Sequence, residues 1–320
     1  MNQLNKYKKA NNLLSILFSI FFLFGIYKIV NDFGIIVENI SKINFYLLLL
    51  SSLVYLSSVI LRYIRWKVIY RNLFSVHKFN MFNETIIGYM ANNLLPFRLG
   101  EIYRVNRIVK SEQINFMRVL SSIFTERFFD VFALLLILIL SFPFIDKFDL
   151  KLFQVQNTFV LFLLFISLLI IGVFILKKVN IFENLIKRIL EIFKDLLSFF
   201  YECHSYKQYL IILSLSITIW LVESIVYFII ADYFITDMSN TNLFIIILIV
   251  CSITNLSGII PSLPGNIGNF EFFGTLAFLA MNISSATGAT VIIIVHLVLF
   301  IPISILGFII LSIEKLSFKK

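Results

Sequence analysis

Long apolar runs separated by short polar, mostly basic stretches make up this chain. Six runs, near residues 10–28, 43–61, 119–145, 158–176, 208–231 and 289–312, reach the length of about 20 mainly apolar residues that a helix needs to cross a bilayer. Two further apolar regions are interrupted. Residues 79–118 carry Asn80, Asn83, Glu84, Asn92, Asn93 and Pro96 and then turn basic in FRLGEIYRVNRIVK. Residues 243–283 begin as LFIIILIVCSITNLSGII and break at PSLPGNIGNFEFFG. Proline removes a backbone donor and glycine loosens a helix, so each region reads as two half-helices around a break. Such breaks persist at membrane depth only where protein buries them or a water-filled cavity lines them. The pattern predicts an all-α integral membrane protein of about six transmembrane helices and two re-entrant hairpins.

Composition agrees with a lipid solvent. Of 320 residues 60% are hydrophobic and 14% charged, against about 45–50% and about 25% in soluble domains. The net charge of +9 is spread between the apolar runs and forms no single patch, which argues against a nucleic-acid partner and for topology signals. With both broken regions turning back, 22 Lys and Arg fall on the inner side and Lys28, Lys42, Lys147 and Lys151 on the outer side. This places both termini in the cytoplasm and the chain in the plasma membrane. The run from Ala10 to Tyr27 follows Lys6, Lys8 and Lys9 without an A-x-A-like cleavage site, so it reads as a retained first helix. Cys203 and Cys251 build neither a disulfide framework nor a metal cluster. No P-loop, G-x-S-x-G or H-E-x-x-H motif is present, so no cofactor, metal or ATP-driven chemistry is expected.

The order of elements reads as a single membrane domain over residues 1–320 in two inverted halves. Residues 1–145 form the first, with an inner hairpin at 79–118; residues 146–180 and 208–320 form the second, with an outer hairpin at 243–283. Residues 181–207 read as a cytoplasmic amphipathic linker, with Ile181, Leu185, Ile189, Ile192 and Leu196 on one face. Three full crossings at 243–312 satisfy the same charge count. P-x-x-x-G echoes between the breaks: Pro96 to Gly100 in the first, and either Pro261 to Gly265 or Pro264 to Gly268 in the second. Paired broken segments in two halves point to a transporter's substrate site.

Charges inside membrane helices are costly and usually face an interior. In TERFFD, Glu126, Arg127 and Asp130 are spaced for pairing on one helix side, or for snorkelling at a helix end. After the break at Pro96, the arginines Arg98, Arg104 and Arg107 offer planar permanent cations suited to a phosphate, with Glu101 as a tether. The same composition also suits an inner surface held by anionic lipid. In the second break Pro261, Pro264, Gly265 and Gly268 precede Glu271, which reads either as an intramembrane charge or as a helix cap. Asn255 and Asn269 are placed to satisfy broken backbone groups. Glu223 has no local partner, and His296, alone in an apolar helix, reads as a hydrogen-bonded bundle residue rather than a proton carrier.

LLPFRLGEIYR, TERFFD and IPSLPGNIGNFE, in this order, resemble the paired motifs of the lysylphosphatidylglycerol synthase transmembrane-region family, also called flippase-like or UPF0104 proteins. Pro96, Arg98, Gly100, Glu101 and Arg104 match the first motif, Glu126, Arg127 and Asp130 the second, and Pro264, Gly265, Gly268 and Glu271 the third. Asn266 stands where the family often has another glycine. The resemblance implies a membrane domain that moves aminoacylated phosphatidylglycerol between leaflets, or, through archaeal relatives, one that serves polyprenyl-phosphate-linked glycolipids. Lys320 follows the last predicted helix directly, so the soluble synthase domain of larger relatives is expected to be absent. The expected function is a non-enzymatic lipid flippase for a lipid with a phosphate head group. The alternatives are a lipid-binding accessory protein or membrane enzyme beside a partner synthase or glycosyltransferase, and an ion-coupled carrier of a small solute.

Overall fold

The computed structural model of the chain describes residues 19–30, 32–73, 80–144, 191, 194, 205–260 and 262–317. The predicted span at 158–176, most of the linker at 181–207 and Pro261 lie outside the described residues. The ten described helices are α1 (Ser19–Ile29), α2 (Phe33–Lys42), α3 (Phe45–Leu73), α4 (Met81–Leu94), α5 (Leu99–Glu112), α6 (Phe116–Ser141), α7 (Tyr206–Phe234), α8 (Asn240–Leu256), α9 (Asn269–Ala280) and α10 (Ser285–Ser317). No strand occurs among the described residues. Among the described residues five helices are long and apolar enough to cross a membrane, and α1 with α2 makes a sixth if that bent pair is one span.

These helices are apolar on the outside. Phe128, Phe132, Leu135 and Ile139 form an exposed stripe on α6, and Leu297, Ile301, Ile305 and Phe308 form another on α10. Both follow helical spacing. The faces turned inward hold the charges, the reverse of a soluble bundle and the arrangement lipid demands.

Local chemistry sets the element ends. Asn80 caps α4 by accepting from the Phe82 and Asn83 N–H groups at 3.0 and 3.2 Å, and Asn115 caps α6 by accepting from Met117 N–H. α4 stops before Pro96, whose ring disfavours helical geometry in the residue ahead of it. The arms of the first hairpin, α4 and α5, have 14 residues each, or about 21 Å, short of the about 30 Å hydrocarbon layer. In the second hairpin α8, together with the 3₁₀ turn that follows it, is long and apolar enough to cross a membrane as Asn240–Ile259. Its return arm α9, with 12 residues, is only about 18 Å long.

Packing between the described elements is reciprocal. α3 lies along α7; α4 packs on α10 while α8 packs on α6; and the two breaks meet. The first arm of each hairpin therefore rests on the helix that follows the other hairpin. A Cβ on Gly100 would overlap the backbone of Ala91 and Asn92, so its glycine lets α5 fold closely onto α4.

α3 corrects the expected span at 43–61. The helix runs on to Leu73, which puts Arg62 and Arg65 inside the bundle rather than in a cytoplasmic loop. Both are buried.

Candidate functional site

The two breaks have matching shapes. Pro96–Arg98 and Pro264–Asn266 are each a single 3₁₀ turn led by proline. Each ends on a non-glycine residue in the left-handed region, Arg98 at φ 53° and Asn266 at φ 61°. Of the two sequence alignments of the breaks, the one starting at Pro264 reproduces this geometry. Asparagine tolerates left-handed backbone better than most residues, so Asn266 holds the turn where the family often has glycine. Gly265, at φ 71°, occupies a position that side chains resist. Ser19 on α1 braces the second turn, accepting from Leu263 N–H at 2.8 Å and donating to the Ile267 carbonyl at 3.0 Å. Asn269 donates to the Ile260 carbonyl at 2.8 Å, the role expected from its position in the sequence.

Between the breaks lies a cavity of about 330 Å³ whose walls include Arg98, Glu101, Arg127, Asp130, Trp220 and Asn266. A second space of about 130 Å³ shares Arg98, Arg127, Trp220, Asn255 and Asn266 with it and is closed by Tyr89, His296 and Phe300. Ligand cavities start at about 300 Å³, so the larger space has the size of a small polar ligand.

An ion-pair network forms the cavity wall. Asp130 accepts from Arg65 at 2.6 and 3.2 Å, from Arg127 at 3.1 Å and from the Trp220 indole N–H at 3.1 Å. Arg62 donates to Glu223 at 2.6 Å, giving that carboxylate the partner its own helix lacks. Arg104 donates to Glu126 at 3.1 Å and stacks 3.5 Å above the Trp66 ring. Arg127 Nε is 2.7 Å from Glu101 Oε1, yet neither atom makes an aligned hydrogen bond. This contact is an attraction between charges without hydrogen-bond alignment.

The cluster of Arg62, Arg65, Arg98, Arg104 and Arg127 meets Glu101, Glu126, Asp130 and Glu223, which leaves one positive charge in excess. Arg98 carries it, having no hydrogen bond or ion pair among the described residues. Its guanidinium lies against Gly258, where any Cβ would collide with it. Left-handed backbone at a non-glycine residue costs about 1–3 kcal/mol, and here it aims an unpaired cation into the cavity.

The expected site residues thus separate. Arg98, Glu101, Arg127 and Asp130 line the cavity; Arg104 and Glu126 are buried behind it and hold one another. Arg107 does not join them, because it donates to Glu84 at 2.7 Å and to Glu314 at 2.8 Å. The Glu84 hydrogen bond leads the effects that raise its already high pKa, burial opposing it. Arg107→Ala should therefore cost on the order of 1–3 kcal/mol by stranding Glu84, and leave the environment of Trp220 unchanged. Thermal unfolding and tryptophan emission in detergent check both. Glu271 caps α9, accepting from Gly268 N–H at 2.7 Å, and its other oxygen meets His296 Nδ1.

Sequence reasoning missed Arg62, Arg65 and the Glu271–His296 contact. The signal for the arginines was their spacing of three with Trp66 adjacent, one helix face continuing past the apolar run.

The chain matches the family model described as the lysylphosphatidylglycerol synthase TM region over residues 12–307. A UPF0104 membrane protein of Methanocaldococcus jannaschii is 26% identical over 221 residues, covering 68% of this chain and 90% of that protein. No solved structure matches the chain. With an all-helical fold and five or six helices able to cross a bilayer among its described residues, the chain is a membrane protein of the lysylphosphatidylglycerol synthase transmembrane-region family.

Proposed function

We propose that this protein moves a lipid with a phosphate-bearing anionic head group between leaflets, its head group passing through the cavity between the two breaks. The observation that carries the reading is Arg98, a half-buried cation with no hydrogen bond or ion pair among the described residues, set in a cavity of head-group size. A guanidinium presents a planar fork of donors matched to phosphate oxygens. Glu101 and Arg127 form a poorly aligned pair beside it, able to part as a head group enters and to close behind it. Movement breaks no covalent bond, so the protein acts as a carrier and not as an enzyme. It sits in the plasma membrane with both termini on the cytoplasmic side, since basic residues not engaged in the bundle still collect on that side. Aminoacylated phosphatidylglycerol and polyprenyl-phosphate-linked glycolipids both present the required phosphate.

The test is reconstitution in liposomes carrying a fluorescent lipid, with dithionite bleaching the outer leaflet. Protein should accelerate loss of the protected inner pool for phosphatidylglycerol, its lysyl form or a polyprenyl-phosphate lipid, and less for a lipid without phosphate. Equal rates for every lipid, or none above empty vesicles, would overturn the reading. Gly258→Ala should abolish most of the acceleration by displacing the Arg98 guanidinium, with little change in unfolding temperature, because Gly258 lies in ordinary helical turn geometry.

A further inference from the structure

His296 stands on α10 with both ring nitrogens engaged: Nδ1 meets a carboxylate oxygen of Glu271, and Nε2 is 2.7 Å from the Gly265 carbonyl. The partners are acceptors. A neutral imidazole has one N–H and can donate to one of them only. The arrangement is satisfied when the pair holds one proton more than a neutral imidazole beside a carboxylate. That proton sits on the ring as imidazolium, or on Glu271, which then donates to Nδ1 while Nε2–H donates to Gly265. Both distributions leave the pair with zero net charge.

We infer that His296 and Glu271 form a proton-binding site that latches the tip of the second break to α10, and that the ion coupled to lipid movement is a proton. The coupling rests on the translocase reading; the proton site does not. Gly265 packs against Phe300 of α10 and the Asn93 carbonyl of α4, and Asn93 donates to the Phe300 carbonyl at 3.1 Å. The latch therefore joins the second break, the first hairpin and α10 at one point. Loss of the proton to cavity water leaves a neutral imidazole with one N–H. A charge-assisted bond to the carboxylate is the stronger choice, so the Gly265 carbonyl loses its partner and the turn is released.

The groups facing His296 across the smaller space are Tyr55 and Arg62 from α3, Tyr89 from α4, Arg98 from the first break, Arg127 from α6 and Glu223 from α7. Arg62 is paired with Glu223, and Arg127 with Glu101 and Asp130. Arg98 is the charge left unpaired among the described residues. A deprotonated pair carries a net negative charge and competes with a bound phosphate for Arg98, whereas a protonated pair does not. Proton release thus opens the latch and weakens the hold on the head group together.

Glu271→Gln separates the proton from the geometry, because a carboxamide N–H donates to Nδ1 and lets a neutral ring donate from Nε2 to Gly265. In full-length protein in lipid nanodiscs, ¹⁵N resonances of the histidine rings, assigned with His296→Gln, and ¹³C carboxyl resonances count the protons on the pair. Wild type should hold one proton more than Glu271→Gln at neutral pH. A neutral His296 facing an ionised Glu271 in wild type would overturn the proton site, whatever lipid does. In liposomes, a pH step across the membrane should change the wild-type rate of head-group exposure severalfold and leave the Glu271→Gln rate unmoved. Lipid movement indifferent to the pH step in wild type would overturn the coupling. Wild-type vesicles that move no lipid at all would overturn the translocase reading and with it the coupling, while the proton count still decides the site.

Discussion

Asp130→Ala is expected to be the most damaging single substitution in the bundle. Asp130 holds Arg65, Arg127 and the Trp220 N–H at once, and Arg65 is fully buried. Taking away one partner of a buried ion pair leaves the other as an uncompensated charge, at a cost of about 3–5 kcal/mol. Arg65 would keep only the Ser216 hydroxyl at 2.7 Å and Glu126 at 3.8 Å. That loss is a large share of the about 5–15 kcal/mol that separates folded from unfolded states. The variant should run as aggregate in size-exclusion chromatography and lose its cooperative unfolding transition. Removing both charges by Arg65→Met with Asp130→Leu should recover much of the loss, since apolar replacement of a whole buried pair is often neutral. The two tryptophans of the chain, Trp66 and Trp220, both touch this network, so their emission follows unfolding where it begins. An Asp130→Ala protein as stable as wild type would mean that water already hydrates these charges.

Much of this architecture was legible in the sequence because apolar run length reports directly on lipid crossing. The runs at 43–61, 119–145, 208–231 and 289–312 correspond to α3, α6, α7 and α10, and both proline-glycine breaks fall where helices stop. Run length failed where a helix stays helical after its lipid-facing run ends. Arg62 and Arg65 look like loop charges in any count of basic residues, yet Glu223, Glu126 and Asp130 wait for them on other helices. A carboxylate within an apolar run, as at Glu223, was the legible half of that pair. The small helix α2 was equally hidden: ten residues are too few for a crossing, and its start rests on Asp32 accepting from Gly34 N–H at 2.8 Å. In the candidate site, residue types were readable and their division of labour was not. Arg98, Arg104 and Arg107 are alike on paper, and only three-dimensional neighbours distinguish the free one from two that are already paired. His296 was read correctly as hydrogen-bonded, but its second acceptor lies on a loop 31 residues earlier, beyond any local pattern.

Arg98→Ala should leave the fold intact and abolish function, the opposite signature to Asp130→Ala. Arg98 has no ion pair to break among the described residues, so its removal strands no carboxylate there, and it returns the cluster from one excess positive charge to balance. The guanidinium is what an anionic head group would find unclaimed. Hydrogen bonds to charged groups contribute about 1.5–3 kcal/mol, which predicts a tenfold to hundredfold weaker hold on phosphate, at about 1.4 kcal/mol per decade. Trp220 lines the same cavity, and in a Trp66→Phe background its emission reads binding of a short-chain phosphatidylglycerol directly. Arg98→Ala should shift that titration by the predicted factor and remove the acceleration of lipid movement, with an unchanged unfolding temperature. Arg98→Lys keeps the charge without the planar fork and should fall between the two. This order, wild type above Lys above Ala in both binding and transport, follows only if the head group meets Arg98 itself. If Arg98 merely balanced the field of the network, Lys would equal wild type; if the cavity took an uncharged solute, Ala would.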